Sequence, residues 1–119
     1  MDEKKKILVV EDAEFIRKFL SEQLKKDYEV ETANDGKDGV KKFREFHPDV
    51  VFMDINMPKM HGVDALKRIM EIDGEAKVAM LTVEDNPEVM EDCKRFGAFE
   101  YIIKPFAVDS IYQAIYMAI

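Results

Sequence analysis

Residues 7–12 read Ile7-Leu8-Val9-Val10-Glu11-Asp12, four apolar residues running straight into two acids. The same shape returns three times. Val50-Val51-Phe52-Met53 stops at Asp54, Val78-Ala79-Met80-Leu81 at Thr82, and Tyr101-Ile102-Ile103 at Lys104-Pro105. Burial alone does not select acid, acid, hydroxyl and amine at four strand ends. In open α/β sheets, ligands bind beyond the carboxyl ends of the strands. The four ends therefore point to one polar site at one edge of a sheet.

Between these runs the period changes to that of a helix. Ala13 to Lys25 places Phe15, Ile16, Phe19, Leu20 and Leu24 on one stripe. Tyr28 to Ala33 alternates as a strand, and Asn34-Asp35-Gly36 is a turn signal. Lys37 to Phe46 turns Val40 and Phe43 inward, and Pro48 blocks further helix. Gly39 costs that helix about 1 kcal/mol relative to Ala, which a close packing contact would explain. A loop from Ile55 to His61 contains Pro58. The next helix has Val63, Leu66, Ile69 and Met70 inside and stops at Asp73-Gly74. Asn86-Pro87 reads as an N-cap with proline at the first helical position. Val89, Cys93 and Phe96 share the inner face of that helix, and Gly97 stops it. Glu100 to Ile103 is a fifth strand and Val108 to Ile119 a last helix. The order βαβαβαβαβα predicts a five-stranded parallel sheet with helices on both faces. Right-handed crossovers then put all five strand carboxyl ends on one edge.

The 119 residues make one domain, 1–119, with a single core. The chain is 47% hydrophobic and 36% charged, with net charge -7. That balance argues against direct binding of DNA or RNA, since phosphate neutralisation needs a basic face. It suits Mg²⁺ or a basic protein surface. Cys93 is the only cysteine, which excludes an internal disulfide or a thiolate metal cluster and fits a reducing compartment. The lysine-rich start leads into no signal peptide, and no stretch has the length of a transmembrane helix. The expected location is the cytoplasm.

Glu11 and Asp12 have a plain reading as helix starters, because acids favour that end of the dipole. Asp54 resists such a reading. It ends an apolar strand, where an ionised carboxylate is costly without a partner. Converging carboxylates raise one another's pKa, and a divalent cation resolves the conflict. Oxygen ligands with room for water and phosphate suit Mg²⁺. Without His or Cys at these ends, zinc does not fit. Thr82 read as a cap and Lys104 as a solvated lysine are plausible singly, but together they require an accidental cluster. A carboxylate, a metal, a lysine and a hydroxyl can accept and hold a phosphoryl group, the carboxylate forming an acyl phosphate. His47 and His61 sit at a helix end and in a loop and are not expected to be catalytic. The eight methionines are mostly core filler, with Met57 and Met60 flanking the site loop.

Over essentially its whole length the chain resembles the receiver domains of two-component response regulators. The resemblance rests on Ile7-Leu8-Val9-Val10-Glu11-Asp12, on Asp54-Ile55-Asn56-Met57-Pro58 with Gly62, on Leu81-Thr82, and on the run from Gly97 to Phe106. Each piece alone is weak; the combination is highly specific. It implies a flavodoxin-like (βα)5 fold with strand order 2-1-3-4-5. It implies that Asp54 is the phosphoacceptor, taking phosphate from a histidine kinase as an aspartyl phosphate. Asp12 and Asp54, with the Asn56 carbonyl, would bind Mg²⁺, Glu11 acting mainly through metal-bound water. Thr82 and Lys104 would contact the phosphoryl group, Thr82 and Tyr101 would form a switch pair, and Lys104-Pro105 would be cis. Val83 departs from the family, which usually has a small residue there; the bulk would narrow access. Asn56 and Glu84 instead resemble the pair in chemotaxis-type members with short-lived phosphate. The two signals give opposite phosphate lifetimes.

The expected function is a phosphorylation-switched signalling module. One alternative is an aspartyl-phosphate phosphatase-like enzyme, whose usual second Asp two residues after the nucleophile is missing from Glu11-Asp12-Ala13-Glu14. The other is a receiver-like binding module that is not phosphorylated, against which Asp12, Asp54, Thr82 and Lys104 argue. A flavodoxin would need a Ser/Thr/Gly-rich loop after the first strand, and a P-loop NTPase its Gly-rich Lys motif. The expected partners are the kinase and either a protein target or a second copy, bound through the face of the fourth helix, fifth strand and fifth helix. On the last helix, Val108, Ile111, Ile115 and Ala118 are inward, leaving Tyr112, Tyr116, Met117 and Ile119 for that partner. The chain ends inside an apolar helix, which favours the N-terminal part of a longer protein over a stand-alone regulator.

Overall fold

The computed structural model describes residues 4–57, 59–83 and 86–119. Pro58 and Glu84, to which two of the expectations above attach, lie outside them. Five strands, β1 (Lys6–Val10), β2 (Glu29–Ala33), β3 (Val50–Asp54), β4 (Val78–Thr82) and β5 (Glu100–Ile103), alternate with five helices. The helices are α1 (Glu14–Leu24), α2 (Gly36–Phe46), α3 (Gly62–Ile72), α4 (Pro87–Arg95) and α5 (Val108–Ala118). All strand pairs are parallel, in the order β2-β1-β3-β4-β5.

Strands buried on both faces need apolar residues at successive positions, and the alternation of side chains sorts them into two cores. Leu8, Val10, Val51, Met53, Val78 and Met80 meet Val40 and Phe43 of α2, Leu66 and Ile69 of α3, and Cys93 of α4. Ile7, Val9, Val50, Phe52, Ala79 and Leu81 meet Leu20 and Leu24 of α1 and Ile111, Ala114 and Ile115 of α5. Burying one such side chain is worth about 1.5–3 kcal/mol. Gly39 is explained on the first face: a Cβ there would lie 2.9 Å from both methyl carbons of Val10.

Helix starts follow the local chemistry. Asp35 caps α2 by accepting from the Asp38 amide at 2.8 Å, so the helix begins at Gly36, within the expected turn. Asn86 caps α4 at 2.9 Å with Pro87 in its first turn. His47 ends α2 in the left-handed region at φ 53, and His61 caps α3; both histidines have structural roles. Gly97, at φ +103, follows α4.

Two expected faces are corrected. Phe15 and Phe19 do not enter the core: they are 81% and 40% exposed, and their rings stack on each other at 6.5 Å. Ile16, Leu20 and Leu24 recur every four residues and form the contact line. Phe15 and Phe19 sit one residue earlier, about 100° round the helix, and the small Ser21 is buried instead. Tyr112 is likewise not left open for a partner. Its hydroxyl lies 2.9 Å from the Gln23 carbonyl and 3.0 Å from Asp27 Oδ2, and its ring tilts against Tyr28 at 5.9 Å. Tyr116, Met117 and Ile119 are exposed as expected.

Candidate functional site

The register brings the four strand ends side by side. Val10 pairs with Met53, so Glu11 follows one strand where Asp54 closes its neighbour. Asp54 pairs with Leu81 and Thr82 with Ile103, which puts Thr82 and Lys104 next along the same edge. The chain reverses its direction of growth between β1 and β3, and a crevice opens at such a point. Three backbone bonds tie the loops there: Glu11 N–H to the Ala33 carbonyl, Ile55 N–H to Leu81, and Lys104 N–H to Thr82.

Glu11 and Asp12 do not cap α1. Ala13 occupies the N-cap and makes no side-chain capping bond. Glu11 is fully buried, and its Oε2 accepts from the Ala13 amide at 3.1 Å. Asp12 is exposed at the mouth. Arg17, one turn into α1, donates to the carbonyls of Glu11 (2.9 Å) and Asp12 (3.3 Å) and so fixes the loop bearing both acids. A single arginine in an amphipathic helix carries no mark of such a role.

Asp54 is 5% exposed and Thr82 1%. Lys104, immediately before a cis Lys104–Pro105 bond, reaches Glu11 Oε1 at 2.6 Å and Asp54 Oδ1 at 3.3 Å. Tyr101 is half-buried on the α4 side of β5, packed against the first core. Asn56 is exposed in the loop after β3. Val83, beyond Thr82, is 69% exposed.

One lysine faces three carboxylates. Burial, then the hydrogen bond and charge of Glu11, push the Asp54 carboxyl up to about 7, with Lys104 pulling the other way. Burial lowers the Lys104 ammonium, but hydrogen bonding to Glu11 and the charges of Asp54 and Glu11 outweigh it and leave its pKa raised. Oxygens of Glu11, Asp12 and Asp54 all lie within 4.8 Å of one another, an arrangement that could hold a metal ion. Glu11 Oε1 supports that reading. Fully buried beside two other acids, it is met among the described residues by the Lys104 ammonium at 2.6 Å, one cation against three carboxylates. An all-oxygen donor set with spare acceptor capacity fits a hard divalent cation.

A doubly wound sheet with a buried carboxylate, a lysine and a hydroxyl at its switch point defines the class of open α/β folds that carry a polar site at their strand ends. Within that class, residues 7–116 match the response regulator receiver domain, and the chain belongs to that family. The chemotaxis protein CheY of Thermotoga maritima is 38% identical over 113 residues, covering 93% of this chain and 94% of its own. CheY of Bacillus subtilis is 39% identical, covering 92% and 93%. The regulatory protein AtoC of Escherichia coli is 37% identical, but the match spans 23% of its length. Among solved structures, Vibrio cholerae CheY4 superposes with a TM-score of 0.92 at 32% identity, over 98% of this chain and 100% of that one. A complex of CheX with CheY, BeF3 and Mg from Borrelia burgdorferi gives 0.89 at 32%, over 95% and 87%. The strand order and chemotaxis-type resemblance expected from the sequence are both borne out. No helix among the described residues is long and apolar enough to cross a membrane.

Proposed function

We propose that the chain is a cytoplasmic receiver domain whose Asp54 accepts a phosphoryl group from a histidine kinase with Mg²⁺ at the site. The observation that carries this is the buried Asp54 carboxylate with Lys104 at 3.3 Å and two further acids within reach. Asp12, Asp54 and the Asn56 carbonyl would hold the ion, with Glu11 beside them. Bound Mg²⁺ supplies positive charge that offsets the carboxylates and the incoming phosphoryl oxygens. An Asp54 oxygen attacks phosphorus as the bond to the donor imidazole breaks, and the imidazole retains the electron pair and takes up a proton. The Lys104 ammonium turns from Glu11 and Asp54 to a phosphoryl oxygen, and the Thr82 hydroxyl donates to another. Movement of Thr82 lets Tyr101 turn inward, which alters the face of α4, β5 and α5 offered to a target or a second copy. The domain thus assists its own phosphorylation and dephosphorylation without acting as an enzyme on a separate substrate.

Acetyl phosphate with Mg²⁺ should add one phosphoryl group by intact mass, and Asp54→Ala or EDTA should abolish it. Modification that persists in Asp54→Ala would reject the assignment.

A further inference from the structure

The segment after β3 is pinned at two points by missing side chains. At Gly62 a Cβ would lie 2.6 Å from Ile55 Cα and 2.9 Å from the Asp54 carbonyl carbon. The Gly62 amide also donates to the Ile55 carbonyl at 2.7 Å. The second point belongs to a different element. Gly36, the first residue of α2, is buried, and a Cβ there would collide with the Met60 carbonyl oxygen. It would also lie 2.8 Å from Met60 Cβ and 3.0 Å from its carbonyl carbon. Beside this contact, Lys59 has φ 68 and points its ammonium toward the capping carboxylate Asp35, at 3.8 Å. The N-terminus of α2 is therefore a seat for residues 59 and 60.

We propose that Gly36 is a positioning residue: its bare Cα lets residues 59–60 seat on α2 and so sets where the loop carries Asn56 relative to Asp54. This rests on the reading of Asn56 and Asp54 as ligands of one ion. The contact is with two backbone atoms and the Cβ of Met60, none of which moves with a change of rotamer, so a methyl group must displace either the loop or the helix. The loop is joined to β3 directly, whereas α2 is anchored along its length by Val40 and Phe43 in the first core. With α2 so anchored, the displacement is expected in the loop.

Backbone NMR of the metal-free protein tests the displacement independently of any phosphorylation. Gly36→Ala should shift the amides of Asn56, Met57 and Lys59, and Mg²⁺ titration should show affinity lowered by about tenfold, as for other residues that orient ligands. Gly74→Ala, where nothing lies within 4 Å, should change neither. Leu24→Ala, in the opposite core, should lower stability without moving the Asn56 amide or the metal affinity. Should Gly36→Ala not fold, Asp35→Asn carries the test, since it keeps a capping oxygen and removes the charge facing Lys59; the same amides should shift. Changes confined to α2, with the Asn56 amide and metal affinity unmoved, would overturn the proposal. Shifted amides with no Mg²⁺ binding even in the unsubstituted protein would instead count against the metal assignment.

Discussion

A carboxylate at the end of a fully buried strand is tolerable only where something offsets its charge. Among the described residues Asp54 has Lys104 as a nearby cation and Glu11 and Asp12 as nearby acids, and its carboxyl is pushed up to about 7, by burial first and by Glu11 second. The consequence for stability has a definite sign. Between the unfolded value near 4 and about 7, the folded metal-free protein keeps a proton that the unfolded chain has lost. Stability therefore falls as pH rises through that window. Asp54→Asn removes the effect, so in EDTA the variant should gain on the parent from pH 4 to 7 and hold its advantage above. The gain has an upper limit of roughly 4 kcal/mol, the pull of Lys104 being already contained in the value of about 7. Urea unfolding at pH 4.5 and pH 8 checks it; a difference that does not grow with pH would contradict the assignment. Mg²⁺ should shrink the gain, because a bound cation stabilises the charged form. From sequence, Asp54 was legible because its type conflicts with its apolar neighbours. Arg17 and Gly36 were not, because their roles lie in contacts with backbone carbonyls that no residue pattern encodes.

At the scale of elements, strands buried on both faces were the easiest to read, since every position from Ile7 to Val10 and from Val50 to Met53 is apolar. Helices gave their positions but not their edges. A 3.6-residue period leaves a side chain about 100° off the contact line to be settled by its neighbours. Phe15 and Phe19 fell outside the line of α1, and Tyr112 of α5 was drawn in by Gln23 and Asp27. The partner face must accordingly be tested elsewhere than at Tyr112. Tyr112→Phe should cost about 1 kcal/mol of stability, the net worth of one hydrogen bond, and leave association unchanged. Met117 is 61% exposed and Ile103 40%. Met117→Glu or Ile103→Glu should weaken any self-association or target binding induced by beryllofluoride, a phosphoryl mimic. Sedimentation with and without the mimic measures the first, titration of a cognate target the second. If Tyr112→Phe rather than these variants abolishes binding, the face has been misplaced.

Across the whole molecule, the four chemical strand ends are adjacent because the order β2-β1-β3-β4-β5 lines up β1, β3, β4 and β5. The alternation of runs predicts a parallel sheet and a shared edge; the order came from the family resemblance, since spacing alone permits others. The acidic chain, the buried Asp54 and Lys104 beside it are the features on which the proposed device rests, a protein that would store a phosphoryl group on its own carboxylate. Borohydride reduction after acetyl phosphate treatment tests this most directly, because it converts an aspartyl phosphate to homoserine that peptide mapping can locate. Homoserine is expected at position 54 alone, and only when Mg²⁺ is present. Homoserine at position 12 or another aspartate, or none despite an added phosphoryl mass, would contradict it.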